Sequence, residues 1–485
     1  MTIATRLKDF LHKYADQLVM LAIISFSFFW KLPYLGVRDL CLDEPFTLYH
    51  SQKSVKEIVS LCTKEPNPPL FMVLVHFWSK LVGFSEESLR ILPLFISSLT
   101  AGVLYITGKR FFSFWAGLLA AGLFMFSKYF FYFSGELRMY GLMCLCTSGA
   151  LFFFLKSAEE GKPRDFWFLL LCNVALIYAH YFGWFVIMIE GISALFYLKN
   201  KVIVKRFIWV LLGTAFCFAP LLVVFIEQFF VKSTDGTWVE PPPAGQFKIQ
   251  VHAFLNSGMV FRLMEFFVPI GLGLAFVLGQ LFKTPKKYIV VLIWWLIPLG
   301  LMYQLSSEIP MFIDRYVLYC SIGLFVCIGA FIERFAHFKW LQAIATLLLI
   351  AHMIGSFSME KEYCRREIRA AVEEVKTLES DGNIVILYPE WSKLNFSYHY
   401  DLDMFKEKNQ LTGKLNEAEV FPFYTADQVK SKASEMRKNE IILFNNAGPY
   451  DAGYVEMVKG LKSEYREISK KEFPDNLIVS VFRKN

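Results

Sequence analysis

The sequence predicts a mainly α-helical integral membrane protein, a bundle of about eleven transmembrane helices with a smaller α/β domain at its C-terminal end. Of the 485 residues, 55% are hydrophobic and only 19% are charged. Soluble proteins are roughly 45–50% apolar and about 25% charged. A single water-soluble core, a disordered chain and a nucleic-acid-binding role are therefore excluded. The nine cysteines include no CxxC pair, which argues against a zinc ribbon or a disulfide scaffold.

Apolar stretches of the length that crosses a bilayer recur along the first three quarters of the chain. A span needs about 20 apolar residues. The candidates are 17–35, 88–108, 114–133, 139–155, 166–182, 183–198, 207–230, 262–282, 289–305, 316–333 and 339–357. The stretch 68–83 is too short to cross, so we predict a helix that lies in the membrane interface.

Basic residues predict the orientation of these spans, which the net charge of +7 alone does not. Cytoplasmic loops carry an excess of Lys and Arg. With eleven spans and a cytoplasmic N-terminus, the basic clusters near 6–13, 109–110, 156–164, 199–206, 283–287 and 334–339 all fall in loops on the cytoplasmic side. The sequence thus predicts a multi-pass membrane domain over 1–357, with a first outer loop at 36–87. An extracytoplasmic domain would occupy 358–485.

The last part of the chain has the composition of a small soluble domain. Short β-branched runs at 383–388, 440–444 and 477–482 predict strands, and the patterns at 365–379, 426–437 and 453–465 predict helices. Strands that alternate with helices favour an α/β unit with a partly parallel sheet. It carries no Gly-rich phosphate loop. We expect a folded cap without chemistry of its own, and the alternative is a role in substrate recognition.

Two adjacent carboxylates, Asp43 and Glu44, come shortly after the first span. Such a pair is a candidate acid–base site. Asp43 could equally cap a short helix that runs to about His50. The capping-box pattern of Ser54 and Glu57 predicts a second helix in the same loop.

Other ionisable residues fall on the outer face of the predicted bundle. Arg138 could bind phosphate or pair with Glu136 at the membrane boundary. His180, beside Tyr181, could touch substrate or make a local hydrogen bond, and Arg315 could bind an anion or extend toward lipid headgroups. In the long loop at 231–261, Trp238 and the prolines 241–243 suggest an apolar lid. Cys41 and Cys62 could form a disulfide if that side is oxidising.

The order and spacing of several short motifs resemble a known family. They are LDE at 42–44, NPPLF at 67–71, GFSEESLRILP at 83–93, AGLLAAGLFMFS at 116–127, SGELRMY at 134–140, YAHYFG at 178–183 and DRY at 314–316. Together they resemble the polytopic GT-C glycosyltransferases of the protein O-mannosyltransferase and lipid A aminoarabinose transferase type, in particular the bacterial branch that uses polyprenyl-phosphate sugars. Family members commonly have His where this chain has Asn67.

The resemblance implies residue roles. It implies Asp43 as general base with Glu44 beside it, and Arg138 and Arg315 facing the donor phosphate. The remaining residues that we assign to substrate binding are Glu136, Tyr140, His180, Tyr181, Lys80 and Asn67.

The expected reaction moves a sugar from a polyprenyl-phosphate donor to an acceptor hydroxyl on the outer face of a plasma membrane, in bacteria the inner membrane. A direct displacement inverts the anomeric centre. The acceptor would be a glycan, lipid or protein, in line with modification of a cell-envelope glycan or lipopolysaccharide, and the sugar a hexose or pentose. No His/Cys/Asp cluster has metal-ligand spacing, so no cofactor is indicated, although a divalent metal is possible.

Three other functions compete with this interpretation. A lipid or glycan flippase predicts ionisable residues at mid-membrane and paired broken helices. Here Glu190 is the main ionisable residue inside a span, and Pro220 and Pro298 do not recur symmetrically. A polysaccharide polymerase or ligase with lipid-diphosphate donors predicts several arginines in a large outer loop, where 231–261 offers only Lys232 and Lys248. A scaffold leaves the polar residues of the outer face unexplained.

Overall fold

The computed structural model describes residues 3–62, 67–227, 239–256, 285–357 and 367–485. Most of the described chain before residue 357 is helical. Its helices are α1 (Ile3–Lys31), α2 (Glu44–Ser51), α3 (Val55–Leu61), α4 (Leu70–Val82), α5 (Glu86–Phe111), α6 (Phe114–Phe126), α7 (Lys128–Ser134), α8 (Tyr140–Glu160), α9 (Pro163–Ala179), α10 (Gly183–Ala194), α11 (Lys201–Ile226), α12 (Gln246–Phe254), α13 (Lys286–Leu305), α14 (Asp314–Val317), α15 (Cys320–Phe335) and α16 (Lys339–Gly355).

Several of these helices are long and apolar enough to cross a membrane. Within the described ranges there are five, and six if the bent pair α6–α7 counts as one span. Shorter apolar helices cover Leu70–Val82, Gly183–Tyr197 and Lys339–Gly355. A multi-pass membrane protein is therefore confirmed. The number of about eleven stays a prediction, and the predicted span 262–282 lies outside the described residues.

The three helices predicted for the first outer loop are present as α2, α3 and α4. The capping box of α3 forms as its sequence pattern predicts, because Ser54 N donates to Glu57 Oε2 at 2.9 Å and Glu57 N donates to Ser54 Oγ at 3.3 Å. Cys41 and Cys62, the pair considered for a disulfide, are both buried and are not joined by a disulfide.

A break at Ser127 bends α6 and α7 by 67°. A break inside an apolar bundle frees backbone groups that need new partners. Asn256 supplies them: its Oδ1 accepts from Lys128 N at 2.7 Å, and its Nδ2 donates to Phe126 O at 2.7 Å and to Met353 O at 3.2 Å. The backbone of Asn256 has φ +57°, which asparagine tolerates better than most residues. The bend directs α7 toward the turn 135–139, where α8 begins.

Close helix packing in the bundle depends on glycine. A Cβ on Gly323 of α15 would lie 2.8 Å from the carbonyl carbon of Trp294 in α13. One on Gly108 of α5 would lie 2.5 Å from Cα of Gly117 in α6. Small residues let membrane helices approach this closely and gain van der Waals contact.

The chain forms two compact units. Residues 1–33, 59–71 and 90–359 make up the first, which we call the helical unit, and residues 34–58, 72–89 and 360–485 the second, the sheet unit. The predicted outer loop is therefore divided between them.

The sheet unit contains a five-stranded sheet in the order β2-β1-β3-β5-β4. Its strands are β1 (Asn383–Tyr388), β2 (Val420–Pro422), β3 (Glu440–Asn445), β4 (Tyr465–Phe473) and β5 (Leu477–Lys484), and its helices after residue 367 are α17 (Ile368–Leu378), α18 (Ser392–Tyr400), α19 (Leu402–Lys406), α20 (Leu411–Glu417), α21 (Ala426–Glu435) and α22 (Ala452–Leu461). β1 pairs in parallel with β2 and β3, whereas β5 is antiparallel to β3 and β4. The partly parallel α/β unit is thus confirmed.

Segments of the outer loop belong to the sheet unit because they bond to its C-terminal helices. Tyr49 Oη donates to Lys408 O at 2.9 Å, and Tyr398 Oη donates to Phe84 O at 2.6 Å. A third bond runs from Asn395 Nδ2 to Leu42 O at 3.1 Å. The last contact places the start of α18 beside the residue that precedes Asp43.

Candidate functional site

The helical unit contains a cluster of arginines and aromatic rings, which we call the arginine cluster and define as Arg138, Tyr140, His180, Arg315 and Tyr316. The first three residues are buried, and Arg315 and Tyr316 are half-buried. Arg138 lies in the turn between α7 and α8, His180 follows the last residue of α9, and Arg315 is in α14. Sequence reasoning predicted that three outer turns would contribute these residues, and the structure brings them together within one unit.

Aromatic contacts hold the cluster in one geometry. The ring of His180 lies 6.0 Å from that of Tyr140 and 5.5 Å from that of Tyr316, centroid to centroid. The two tyrosine rings are 6.4 Å apart, and Phe182 packs edge-on against Tyr316 at 5.1 Å. Ring packing at these distances is favourable and directional.

The two guanidinium groups lie over this aromatic frame. Arg138 Cζ is 5.8 Å from the ring centroid of Tyr140, and Arg315 Cζ is 5.8 Å from that of Tyr316. Both arginines act electrostatically on Tyr140 and on His180. Arg138 is only 6% exposed. Arg315 is half-buried. Two guanidinium groups held on one aromatic frame suit a phosphate, whose oxygens accept their forked hydrogen bonds.

Asn67 and Glu136 adjoin this cluster. Arg138 Nη2 donates to Asn67 Oδ1 at 3.5 Å, so the position where family members commonly have His here contacts the guanidinium. Glu136 is 3% exposed, and its carbonyl accepts from Arg138 N at 2.7 Å, which tightens the turn. Both residues thus shape the surroundings of Arg138.

His180 and Tyr181 take different places although they are adjacent in sequence. His180 Nδ1 accepts from Phe182 N at 3.1 Å, so in the neutral ring Nε2 carries the proton and can donate. Tyr181 packs in an apolar group with Ile177 and with Phe218 of α11. The structure therefore places His180 in the arginine cluster and Tyr181 in the core beside it.

The carboxylates Asp43 and Glu44 belong to the sheet unit and differ in surroundings. Asp43 occupies the position before α2, but its side chain makes no capping hydrogen bond. Glu44 is 1% exposed; its Oε2 accepts from Cys41 N at 3.4 Å and its Oε1 lies 3.6 Å from Arg38 Nη2. Glu44 is thus engaged in holding the loop, whereas Asp43 lines a pocket.

The pocket beside Asp43 has a volume of about 520 Å³, and we call it the Asp43 pocket. It lies where β1 and β2 end, because Glu390 and Trp391 follow β1 and Tyr424 follows β2. Ligands of open α/β sheets commonly bind at the carboxyl ends of parallel strands. The polar and aromatic side chains that line it are Asp43, Phe46, Tyr49, His50, Glu390, Trp391, Lys393, Asn395, Asn409, Thr412 and Tyr424.

Sequence reasoning did not find the C-terminal residues of this pocket. Trp391 and Tyr424 are 47% and 51% exposed, respectively. Exposed large aromatics just after buried strands are a signal that can be read from a sequence once the strands are assigned. Their approach to Asp43 depends on tertiary packing, which no local pattern encodes.

Lys80 lies on α4 and is exposed, and its Nζ is 2.8 Å from His76 Nε2. His76 Nδ1 is 2.8 Å from Ser51 O, so Nδ1 donates and Nε2 accepts from the lysine. In the described ranges, no group of three or more His, Cys, Asp or Glu residues could hold a metal ion. Trp238 lies outside the described residues.

Comparisons with known proteins agree with this architecture. Residues 66–226, which are 161 of the 485 residues, match the family model of dolichyl-phosphate-mannose-protein mannosyltransferase. Comparison with curated protein sequences finds no match.

Two solved structures share the fold along nearly the whole chain. The crystal structure of ArnT from Cupriavidus metallidurans in the apo state has 12% sequence identity and a TM-score of 0.59, and the match covers 97% of this chain and 98% of that one. The same protein bound to undecaprenyl phosphate has 13% identity and a TM-score of 0.57, with 96% and 98% covered.

The family match over residues 66–226 and the fold shared with ArnT both point to polytopic GT-C glycosyltransferases of the protein mannosyltransferase and ArnT type as the proteins that this chain is similar to. They agree with the resemblance inferred from the sequence motifs.

Proposed function

We propose that the protein transfers a sugar from a polyprenyl-phosphate donor to an acceptor hydroxyl, with inversion, on the extracytoplasmic side of a plasma membrane. The observation that carries the proposal is the pair of guanidinium groups of Arg138 and Arg315 on one aromatic frame, where Arg138 is buried and Arg315 is half-buried. A membrane-borne phosphate is the anion that such a site suits, since nucleotide sugars are cytoplasmic. The solved ArnT structure with undecaprenyl phosphate supports the same donor class.

The proposed step is a direct displacement at the anomeric carbon. The acceptor oxygen forms the new bond to this carbon as the bond to the phosphate oxygen breaks, and the electron pair leaves with the lipid phosphate. The acceptor proton passes to Asp43, the general base. Arg138 and Arg315 stabilise the charge that develops on the departing phosphate, as preorganised cations do in a water-poor site.

The surroundings of the other candidate residues suggest supporting roles. His180 Nε2 can donate to a phosphate or sugar oxygen, because its Nδ1 is occupied by Phe182 N. Asn67 and Glu136 position Arg138, and Tyr140 supplies the surface under it. Lys80, exposed on α4, is a further contact for an anionic lipid. Glu44 holds the loop that carries Asp43.

The distribution of basic residues supports the orientation. We propose a cytoplasmic N-terminus, a membrane domain over 1–357 and an extracytoplasmic domain over 358–485, because the short basic loops then face the cytoplasm. In bacteria this would be the inner membrane.

A flippase is less well supported. The residue that most favours it is Glu190, the main ionisable residue inside a predicted span. In the structure, Asn173 Nδ2 of α9 donates to Glu190 Oε2 of α10 at 2.6 Å. Polar pairs of this kind join helices inside membranes. Glu190 therefore has a structural explanation within the bundle.

The experiment offers purified protein in lipid nanodiscs a panel of labelled polyprenyl-phosphate hexoses and pentoses, each together with glycan, lipid and peptide acceptors that supply the attacking hydroxyl. Release of lipid phosphate is measured for the wild type and for Asp43→Asn. We expect release with one donor class and a loss on the order of 10²–10⁴-fold in the variant, the usual contribution of a general base.

The matched control is Asp403→Asn, which changes an exposed carboxylate of the sheet unit and should retain full activity. Wild-type rates in Asp43→Asn would exclude Asp43 as the base. No release with any donor would contradict the proposed function.

A further inference from the structure

The Asp43 pocket has the dimensions and position of a binding site. Its volume of about 520 Å³ falls inside the range of roughly 300–1,000 Å³ that ligand pockets show. It opens at the carboxyl ends of β1 and β2, and α2 brings Asp43 to its lining. All of its lining residues belong to the sheet unit.

Two aromatic side chains of the lining present exposed ring faces. Trp391 and Tyr424 are each about half exposed, although neither packs in the core cluster of the sheet. Phe46 and His50 add two further rings, 4.3 Å apart. Aromatic rings with a polar edge, such as Trp and Tyr, suit ligands that have both apolar and polar faces. A sugar ring is such a ligand, because its C–H face is apolar and its rim carries hydroxyls.

Two polar side chains of the lining each have one hydrogen-bonding atom without a partner among the described residues. Asn395 is 1% exposed, and its Oδ1 has no hydrogen-bond partner among the described residues. The same holds for His50 Nδ1 in the part of the chain that the structure describes. Hydroxyl groups can both donate and accept, so they can satisfy an amide oxygen and an imidazole nitrogen alike.

The charge of the lining disfavours a phosphorylated ligand. Lys393 Nζ donates to Glu390 Oε1 at 2.8 Å, and this hydrogen bond lowers the pKa of Glu390. The described lining carries two carboxylates, Asp43 and Glu390, against the one cation Lys393, so its formal charge is negative. An anion would be repelled here, whereas the arginine cluster of the helical unit attracts one.

We propose that the Asp43 pocket binds the acceptor, and that the acceptor is the uncharged end of a glycan whose sugar rings stack on Trp391 and Tyr424. The inference rests on the proposed function in one respect, namely that Asp43 takes the proton of the bound hydroxyl. It selects a neutral glycan from the glycan, lipid and protein acceptors that the sequence leaves open.

The test measures binding first, without donor. Full-length protein in nanodiscs is mixed with neutral manno-, gluco- and N-acetylglucosamine oligosaccharides of two to six units, and saturation transfer to the sugar protons is recorded by NMR. We expect transfer with at least one series and its loss in Trp391→Ala and in Tyr424→Ala. Tyr450→Ala, which removes a 92% exposed tyrosine outside the pocket, should bind like the wild type.

Two other ligand classes are run in parallel, a phosphorylated sugar and a Ser/Thr-rich peptide. Trp391-dependent binding of either, with none of the neutral series, would overturn the proposal. So would unchanged saturation transfer in both alanine variants. Both positions are exposed, so the variants should fold, and Trp391→Phe, which keeps a ring, should restore most of the signal.

The kinetic readout separates this inference from the proposed function. Once a donor is known, Trp391→Ala should raise the acceptor KM roughly tenfold and leave the donor KM unchanged. Transfer with an unchanged acceptor KM would refute the glycan pocket and leave the transferase intact. Glycan binding through Trp391 without lipid phosphate release from any donor would refute the transferase and retain the pocket.

Discussion

The arginine cluster of the helical unit and the Asp43 pocket of the sheet unit are both polar and rich in aromatic rings, but their charge and exposure are opposite. The cluster buries Arg138 almost completely and stacks its cations on Tyr140 and Tyr316. The pocket exposes Trp391 and Tyr424 and has a net negative lining. This contrast suggests different ligands for the two regions. The arginine cluster would bind the charged phosphate of a donor, and the Asp43 pocket the neutral rings of an acceptor.

Within the arginine cluster, the largest effect is expected from removing the guanidinium of Arg138. Arg138→Gln should lower kcat on the order of 10²–10³-fold, as the loss of a charge-stabilising donor does in other enzymes. It should also weaken inhibition by free polyprenyl phosphate, while neutral oligosaccharide binding stays unchanged. Steady-state kinetics and the NMR assay measure both.

Arg483→Gln is the matched control, since Arg483 pairs with Glu440 at an exposed end of β5. If Arg138→Gln weakened glycan binding as much as inhibition by polyprenyl phosphate, the assignment of different ligands to the two regions would be contradicted.

The next effect concerns the break between α6 and α7. Asn256→Gly keeps the backbone at φ +57° but removes the side chain that bonds Lys128 N, Phe126 O and Met353 O. Leaving such buried groups unpaired costs about 2–4 kcal/mol. We expect a melting temperature several degrees lower and weaker transfer. Asn416→Gly, at an exposed position in α20, controls for the substitution itself; equal melting of the two variants would contradict the structural role of Asn256.

The adjacent carboxylates give a sharper comparison inside the sheet unit. Glu44→Gln removes the charge that faces Arg38 and should lower the free energy of unfolding by about 1–3 kcal/mol. Asp43→Asn should leave the melting temperature nearly unchanged and reduce kcat. Thermal melting and single-turnover rates, measured on the same samples, separate the two effects. A variant of Glu44 that is fully stable but inactive would reverse the assignment of roles.

Much of this architecture follows from local sequence, but the pocket does not. β1, β3 and β5 are apolar β-branched runs, so their sequences predict them. β4, with the sequence YREISKKEF, is an edge strand with mostly exposed charged side chains, so it lacks the apolar pattern that predicts a strand. Its first residue, Tyr465, falls at the end of the predicted helix 453–465. The grouping of Arg138, His180 and Arg315 follows from counting spans. Asp43 is more than 300 residues from Trp391 and Tyr424 in sequence, and the packing of α2 against α18 brings it to them.

The smallest effect at neutral pH concerns His50, which lines the pocket. Burial, with the nearby charges of Lys53 and Lys393, lowers its pKa from 6.5 to about 4. A group whose pKa is lowered by folding stabilises the protein above its unfolded pKa, and this contribution is lost as the pH falls from 6.5 to 4. His50→Gln should therefore change little at pH 7 and make the melting temperature less sensitive to acid in that window. His337→Gln, outside the pocket in the segment between α15 and α16, is the matched control. If both variants kept the acid sensitivity of the wild type, a neutral His50 in the pocket would be excluded. His50 Nδ1, one of the two groups that we assign to the sugar hydroxyls, would then not be available as proposed.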